Sequence, residues 1–421
     1  MRPLYTLILY LSLPLAILRL YWRSLKNPAY RNRIPERFGW LAEQQVKNGL
    51  WIHSVSVGET QAAEPLVKQL QERFPGLAIV ITTTTPTGAD RVHKLFGDSV
   101  THLYFPYDLP FAVNGFLKAV RPKLLVMMET EVWPNLLAEC ERQSIPTILA
   151  NARLSERSAK GYARLGAFSR QTFGRIGLVA AQSPADAERF LGLGVKSDRV
   201  RVTGSIKFDV RVPAMVREQA ESLRRTWGGR PVWVAASTRE GEDEQVLAAH
   251  RLVLEKLPQA LLVIVPRHPE RFDKVALLCQ REGFSCARRS TNDLCHEETA
   301  VFLGDTMGEL PLFLAAADVA FVGGSLVPTG GHNVLEPAAL GLPVVFGPHM
   351  FNFAMVSRML LAEGAAVEVT NSSDLADWVV DWLSDANLRA QYGERALHVV
   401  EANKGALGRL FDILQAYLVD R

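Results

Sequence analysis

Short, nearly uninterrupted apolar runs separated by amphipathic segments limit what this chain can fold into. Seven runs lie in the first half, at 50–57, 77–84, 100–107, 123–128, 147–151, 177–182 and 200–205. Six more lie in the second, at 231–237, 260–265, 299–303, 318–322, 343–346 and 365–369. Strands that are apolar on both faces, with helical patterns between them, belong to parallel sheets covered by helices on both sides. The expected fold class is therefore α/β, with two Rossmann-like, doubly wound domains facing a cleft. A chain of 421 residues with 48% hydrophobic content can fill two such cores. The spacing predicts a first domain over 38–210 and a second over 231–385. Residues 211–230 are expected to be a linker, because a polar helical stretch there ends in Gly228-Gly229. Residues 386–421 read as helices with no strand between them, expected to pack back on the first domain.

The N-terminus is a separate element. Pro3 to Leu18 is apolar apart from Thr6 and Ser12, and a basic run follows: Arg19, Arg23, Lys26, Arg31, Arg33 and Arg37. A secretory signal would carry its charge before the apolar part and a cleavage site after it. An apolar stretch of about 16 to 20 residues is at the lower limit for crossing a bilayer. The basic side marks the cytoplasmic face. An anchor lying in the interface is the alternative, and a buried core helix a third. We expect residues 1–37 to hold the protein to an anionic inner-membrane surface, with the rest in the cytoplasm. A net charge of +3 carries no nucleic-acid signature. Four cysteines without C-x-x-C spacing point to reduced thiols rather than a disulfide frame or a zinc site.

Ligands of parallel sheets bind beyond the carboxyl ends of the strands, so the segments after each run hold the candidate chemistry. The stretch GGHNVLEPAALGLPVVFGP, 330–348, has a glycine pair leading into a short helix with Glu336 near its start. Glycines there let backbone N–H groups approach a phosphate, and a helix N-terminus favours the anion. Glu336 could accept from ribose hydroxyls. Asn333 with Glu336 equally fits a capping box that needs no ligand, and local sequence leaves the two matched. Glu59 follows the first run, after Gly58. It is either a carboxylate placed to suit the helix dipole or a general base. Glu129, Thr130 and Glu131 follow the fourth run, close to Trp133. Lys207 follows the seventh and could reach an anionic group. Pro266-Arg267 and Met307-Gly308-Glu309 end two runs of the second domain; Arg267 offers a fork to phosphate or carboxylate. Ser237 to Glu242, after the first run of that domain, offers hydroxyls and N–H groups that suit an anion. No D-x-D motif occurs, which argues against a metal-held diphosphate donor.

Taken together these segments resemble one family, the 3-deoxy-D-manno-octulosonic acid (Kdo) transferases of lipopolysaccharide assembly. The matching pieces are HSVSVGE (53–59), ETEVWPN (129–135), NARLS (151–155), GSIKFD (204–209), ASTREGE (236–242), PRHPERF (266–272), GDTMGEL (304–310) and GGHNVLEP (330–337). They run in the family's order along nearly the whole chain. The resemblance implies a GT-B fold, CMP-Kdo as donor and the lipid A precursor, lipid IVA, as acceptor, with no cofactor and no metal. It matches Glu59 to the general base, and Glu129 and Lys207 to groups that stabilise the transition state. It matches Pro266, Arg267, Met307, Gly308, Glu309, Asn333, Val334, Leu335 and Glu336 to the CMP-binding segments. A single displacement with a base opposite the leaving group implies inversion at the anomeric carbon. Two rivals stand beside this reading: a GT-B transferase or epimerase using a UDP-sugar, and a membrane-anchored nucleotide-sensing scaffold without catalysis.

Overall fold

Strand burial follows the apolar runs. The computed structural model describes residues 1–41, 48–210 and 212–419. The first sheet holds β1 (Leu50–His53), β2 (Ile79–Thr83), β3 (Thr101–Tyr104), β4 (Leu124–Met128), β5 (Thr147–Ala152), β6 (Leu178–Ala181) and β7 (Val200–Val202), in the order β3-β2-β1-β4-β5-β6-β7. The second holds β8 (Val232–Thr238), β9 (Leu261–Pro266), β10 (Cys286–Arg288), β11 (Val301–Leu303), β12 (Val319–Val322), β13 (Val344–Phe346) and β14 (Ala366–Glu368), in the order β10-β11-β9-β8-β12-β13-β14. Every pairing is parallel. β1, β4, β8 and β9 are buried along their whole length, as a sheet covered on both faces requires. β10 escaped the pattern because it is a three-residue edge strand, Cys-Ala-Arg, buried only at Ala287.

Each sheet reverses direction at its centre. From β1 the chain moves outward through β2 and β3, then returns to β4 on the other side of β1. In the second sheet β8 is followed outward by β9 to β11, and β12 returns on its far side. The loops leaving β1 and β4, and those leaving β8 and β12, therefore part in opposite directions. That opening is where doubly wound sheets bind ligands.

Two expected boundaries move. The chain divides into Met1–Lys207 with Lys404–Arg421, and Phe208–Asn403. The stretch expected as a linker belongs to the second unit. Helix Ala214–Thr226 buries Ala220, Trp227 packs edge-on against Phe302 at 5.2 Å, and Arg224 grips Asp318 with two bonds of 2.9 and 2.7 Å. Arg211 lies outside the described residues. The C-terminal helices also part company. Helix Ala386–Asn403 packs Ala396, Val399 and Val400 against Val334, Leu335 and Ala338 of the second unit. Only helix Ala406–Val419 returns to the first, its stripe Leu407, Leu410, Phe411, Leu414 meeting Leu66, Val67 and Leu70.

Leu410 is fully buried in that stripe. Leu410→Ala is expected to remove roughly 2–5 kcal/mol from the urea transition of the first unit while leaving that of the second in place. An unmoved first transition would show that the helix does not stabilise that unit.

Candidate active site

In the first unit the site begins with a helix cap. Ser56 Oγ accepts from the Glu59 N–H at 3.3 Å, and Glu59 Oε1 accepts from the Ser56 hydroxyl at 2.9 Å. Glu59 Oε2 accepts from the Val55 N–H at 2.8 Å. Glu59 thus fills the capping role at the start of helix Val57–Arg73. Each carboxylate oxygen keeps a second acceptor site. Burial raises the Glu59 carboxyl above its ordinary range; the Val55 and Ser56 bonds oppose that, and Glu129 adds to it.

Glu129 leaves β4 in the left-handed region, φ +56°, its N–H still bonded to Ala150 O at 2.9 Å. A non-glycine residue there costs about 1–2 kcal/mol. The buried carboxylate is held by Arg153 Nε at 2.7 Å and Lys207 Nζ at 3.1 Å. Asn151, at the end of β5, sets both partners. Its Oδ1 accepts from the Ile206 N–H at 3.2 Å, just before Lys207, and Arg153 follows it by two residues. Sequence reasoning gave Lys207 an anion to reach; within the first unit that anion is Glu129.

Glu131 is half-buried. It accepts from Trp133 Nε1 at 3.0 Å, and its Oε2 lies 3.9 Å from His53 Nε2. His53 is wholly buried, stacks on Phe105 at 3.8 Å and bonds Thr82 Oγ1 through Nδ1 at 2.9 Å. Burial drives its pKa down to about 3, so it is neutral near pH 7. Burial first, then the charges of Glu59 and Glu129, push Glu131 up to about 7. Three carboxyl groups share one field, and only Glu129 has cationic partners within salt-bridge distance among the described residues.

In the second unit Arg239, after β8, donates through Nε to His332 Nε2 at 3.1 Å and contacts His268 Nε2 through Nη1 at 2.5 Å. Both imidazoles therefore present an unprotonated nitrogen. Burial, Arg239 and Arg267 together pull His332 down to about 3. Burial and the same two arginines lower His268. Arg267 is exposed at the end of β9, and its backbone N–H bonds Thr238 O at 3.1 Å. No hydrogen bond to its guanidinium occurs among the described residues, and its charge bears on Glu336.

Glu242, fully buried, ties the two diverging loops together. It accepts from the N–H groups of Arg239 (3.1 Å), Gly324 (2.6 Å), Ser325 (3.0 Å) and Leu326 (2.9 Å). The N–H groups expected to receive a ligand anion after β8 thus serve, in part, this internal one.

The glycine-rich stretch is also narrower than expected. Its helix is only Leu335–Ala339, too short for the full terminal charge of a long helix. A Cβ on Gly331 would come within 2.2 Å of Met350 Sδ, and one on Gly330 within 2.2 Å of Asn352 Nδ2. Those side-chain ends could shift, but φ of +101° at Gly330 and +72° at Gly331 favours glycine at both positions whatever the stretch binds. Asn333 Oδ1 accepts from the Leu335 N–H at 3.1 Å, and its Nδ2 donates to Glu336 Oε1 at 3.0 Å. Val334 and Leu335 are buried, and the Leu335 N–H and the Val334 carbonyl are already bonded within the turn. Burial raises Glu336, while Asn333 and Arg267 oppose the rise. Pro266-Arg267 and Asn333–Glu336 thus come together with Arg239, His268 and His332. Met307 is exposed and Gly308 has φ +90°, on the loop after neighbouring β11. Glu309 there is already gripped by Arg289 through bonds of 3.0 and 2.7 Å.

From sequence, Glu131 is only a carboxylate beside Glu129 without a role, and Arg153, Arg239, His332 and Glu242 have none. All five lie within the quoted motifs, but most of their partners come from other strand ends, which no local spacing reveals.

The sequence model described as 3-Deoxy-D-manno-octulosonic-acid transferase (kdotransferase) matches residues 32–210, and that described as Glycosyl transferases group 1 matches residues 230–399. A 3-deoxy-D-manno-octulosonic acid transferase of Haemophilus influenzae is 45% identical over 421 residues, covering 99% of each chain. This chain belongs to the Kdo transferase family. A Kdo transferase of Bordetella pertussis is 38% identical, again covering 99% of each. Among solved structures, a UDP-GlcNAc 2-epimerase from Neisseria meningitidis bound to UDP-GlcNAc has a TM-score of 0.54 at 16% identity, covering 89% of this chain and 100% of its own. That likeness shows the GT-B fold alone. As a Kdo transferase the chain is a glycosyltransferase, and it transfers Kdo in lipopolysaccharide synthesis.

The raised Glu131 carboxyl has a measurable consequence. Its ordinary value is 4.5 and its folded value about 7. A carboxyl raised on folding favours the native state below its unfolded pKa, and that contribution is lost as pH climbs through the folded one. Between about pH 4.5 and 7 the parent should lose up to about 1.4 kcal/mol per pH unit relative to Glu131→Gln. Parallel stability-against-pH curves for the two chains would show that Glu131 titrates normally.

Proposed function

We propose that this Kdo transferase takes Kdo from CMP-Kdo to lipid IVA in one inverting, metal-independent displacement at the cytoplasmic face of the inner membrane. The observation that carries the mechanism is the Glu129 arrangement. A buried carboxylate in a strained backbone, paired with Arg153 and Lys207, stands at the same switch point as Glu59. A sugar leaving CMP passes through an oxocarbenium-like state. Glu129, paired with Arg153 and Lys207, stabilises that positive charge, and Lys207 fixes where it points. Glu59, with a raised pKa and free acceptor sites, removes the proton from the attacking hydroxyl. The nucleotide is assigned to Pro266, Arg267, Met307 to Glu309 and Asn333 to Glu336. Arg267 and Arg239 neutralise the departing phosphate, and Glu336 accepts from ribose. Fixed cations then perform the neutralisation that a metal performs for diphosphate donors.

Glu59→Gln should lower turnover at least about 10²-fold with CMP affinity unchanged, measured by mass analysis of the lipid product. Near-normal transfer would remove Glu59 from the chemistry. Arg267→Ala should weaken CMP binding by about tenfold or more, and transfer should proceed unchanged in EDTA. Loss of transfer in EDTA would overturn the metal-independent reading. Binding of UDP in preference to CMP would overturn the donor.

A further inference from the structure

The N-terminal helix Arg2–Lys26 has the hydropathy and length to cross a membrane, yet both of its ends are fastened to one body. Near its start, Tyr5 Oη donates to Asp108 Oδ2 at 2.9 Å and Thr6 Oγ1 to Asn135 Oδ1 at 3.1 Å. Tyr5 also packs on Phe168 at 5.6 Å. Near its end, Leu20 and Ser24 are buried, and Arg31 Nε donates to Ser24 Oγ at 2.7 Å. The chain then continues into Arg33, which contacts His102 Nδ1 at 3.0 Å, and buried Arg37, which donates to Thr84 O at 3.1 Å. All of these partners belong to the first unit. A helix crossing the bilayer would put about 30 Å of hydrocarbon between residues 5 and 24 and break one set.

The helix has two faces. The inner one, through Tyr5, Leu9, Ala16, Leu20 and Ser24, is wholly or partly buried. The outer one, through Leu4, Leu7, Leu11, Leu15, Leu18 and Trp22, follows helical spacing, and each side chain is between 54 and 71% exposed. That stripe extends for about 27 Å at 1.5 Å per residue. Beside it, Tyr10, Phe111, Phe38 and Trp40 form a chain of ring contacts, with Phe111 and Trp40 exposed. The flank is basic: Arg19, Arg23 and Lys26 are exposed, and no acidic residue occurs before Glu36. At the end of the helix, Trp22, Arg23, Lys26, Asn27 and Tyr30 line a cavity of about 290 Å³. Indole and paired cations are the chemistry of the headgroup level.

We infer that this helix lies flat in the surface of an anionic phospholipid bilayer, its outer stripe in the acyl boundary and its inner face on the first unit, and does not span. The inference rests on the membrane reading above and adds its geometry. It has a structural corollary. Asp108, which holds Tyr5, also accepts from the Asn135 and Leu136 N–H groups at 3.0 and 2.7 Å, and so caps the helix that follows the Glu129–Trp133 loop. The lipid-facing helix and the catalytic loop share one carboxylate.

The full chain is expressed with Arg2→Cys or Lys26→Cys, and labelling by a membrane-impermeant maleimide is measured over the parent's background. In inside-out inner-membrane vesicles both positions should label to within about twofold of each other, as expected of an interfacial helix. Protection of Arg2→Cys there, with labelling in spheroplasts, would overturn the proposal. The double substitution Leu11→Lys with Leu15→Lys should weaken binding to phosphatidylglycerol-containing vesicles at least about tenfold while CMP binding stays intact. Unchanged vesicle binding would also overturn it. Kdo transfer by Glu59 variants is read separately, so failure of the catalytic assignment leaves these outcomes standing.

Discussion

A parallel sheet buried on both faces can expose polar chemistry only where its strands end. Everything in this chain follows from that constraint. The central strands are apolar and nearly solvent-free, so no charged group can work within them. The central reversal of strand order in each sheet opens a place where loops part, and each unit sets a buried glutamate there. In the first, Glu129 is balanced by Arg153 and Lys207. In the second, Glu242 is balanced by four backbone N–H groups. The difference is chemical. Glu129 keeps its charge facing two side chains, whereas Glu242 spends its charge holding two loops in register and leaves Arg239 and Arg267 as the charged groups.

The same division explains what could be read from sequence. Strand positions were legible because burial on both faces leaves long apolar runs; β10, half-buried at an edge, left none. The motif glutamates were legible because they follow strand ends directly. Their partners were not. Arg153 and Lys207 reach Glu129 from two other strands, and the link that aligns them is Asn151 bonding the Ile206 N–H, a contact between residues 55 apart. Domain limits failed for a related reason. Helix Ala214–Thr226 looks polar enough to be a linker, but two positions, Ala220 and Trp227, suffice to fix it to a core. The glycine pair at 330–331 was read for its freedom to approach phosphate. The side chains of Met350 and Asn352, which pack closest to it, follow about twenty residues later.

The carboxylate cluster of the first unit has an internal logic. Glu59, Glu129 and Glu131 lie in one field, and three charges there would repel. Arg153 and Lys207 compensate one of them. Of the remaining two, Glu131 sits beside a neutral, buried His53 and a Trp133 N–H, an environment that offers one hydrogen bond and no charge. Glu59 has a hydroxyl and a backbone N–H. Burial and its carboxylate neighbours push Glu131 up to about 7. In the mechanism proposed above, Glu59 is the carboxylate that abstracts the proton. A protonated Glu131 lowers the cost of an ionised Glu59; an ionised Glu131 raises it. Each charge bears on the other, so under the proposed mechanism the acid limb of turnover would follow the cluster and not the base alone. The helix that follows Trp133 is capped by the carboxylate that holds the N-terminal helix. The position of this cluster is thereby tied to that of the N-terminal helix.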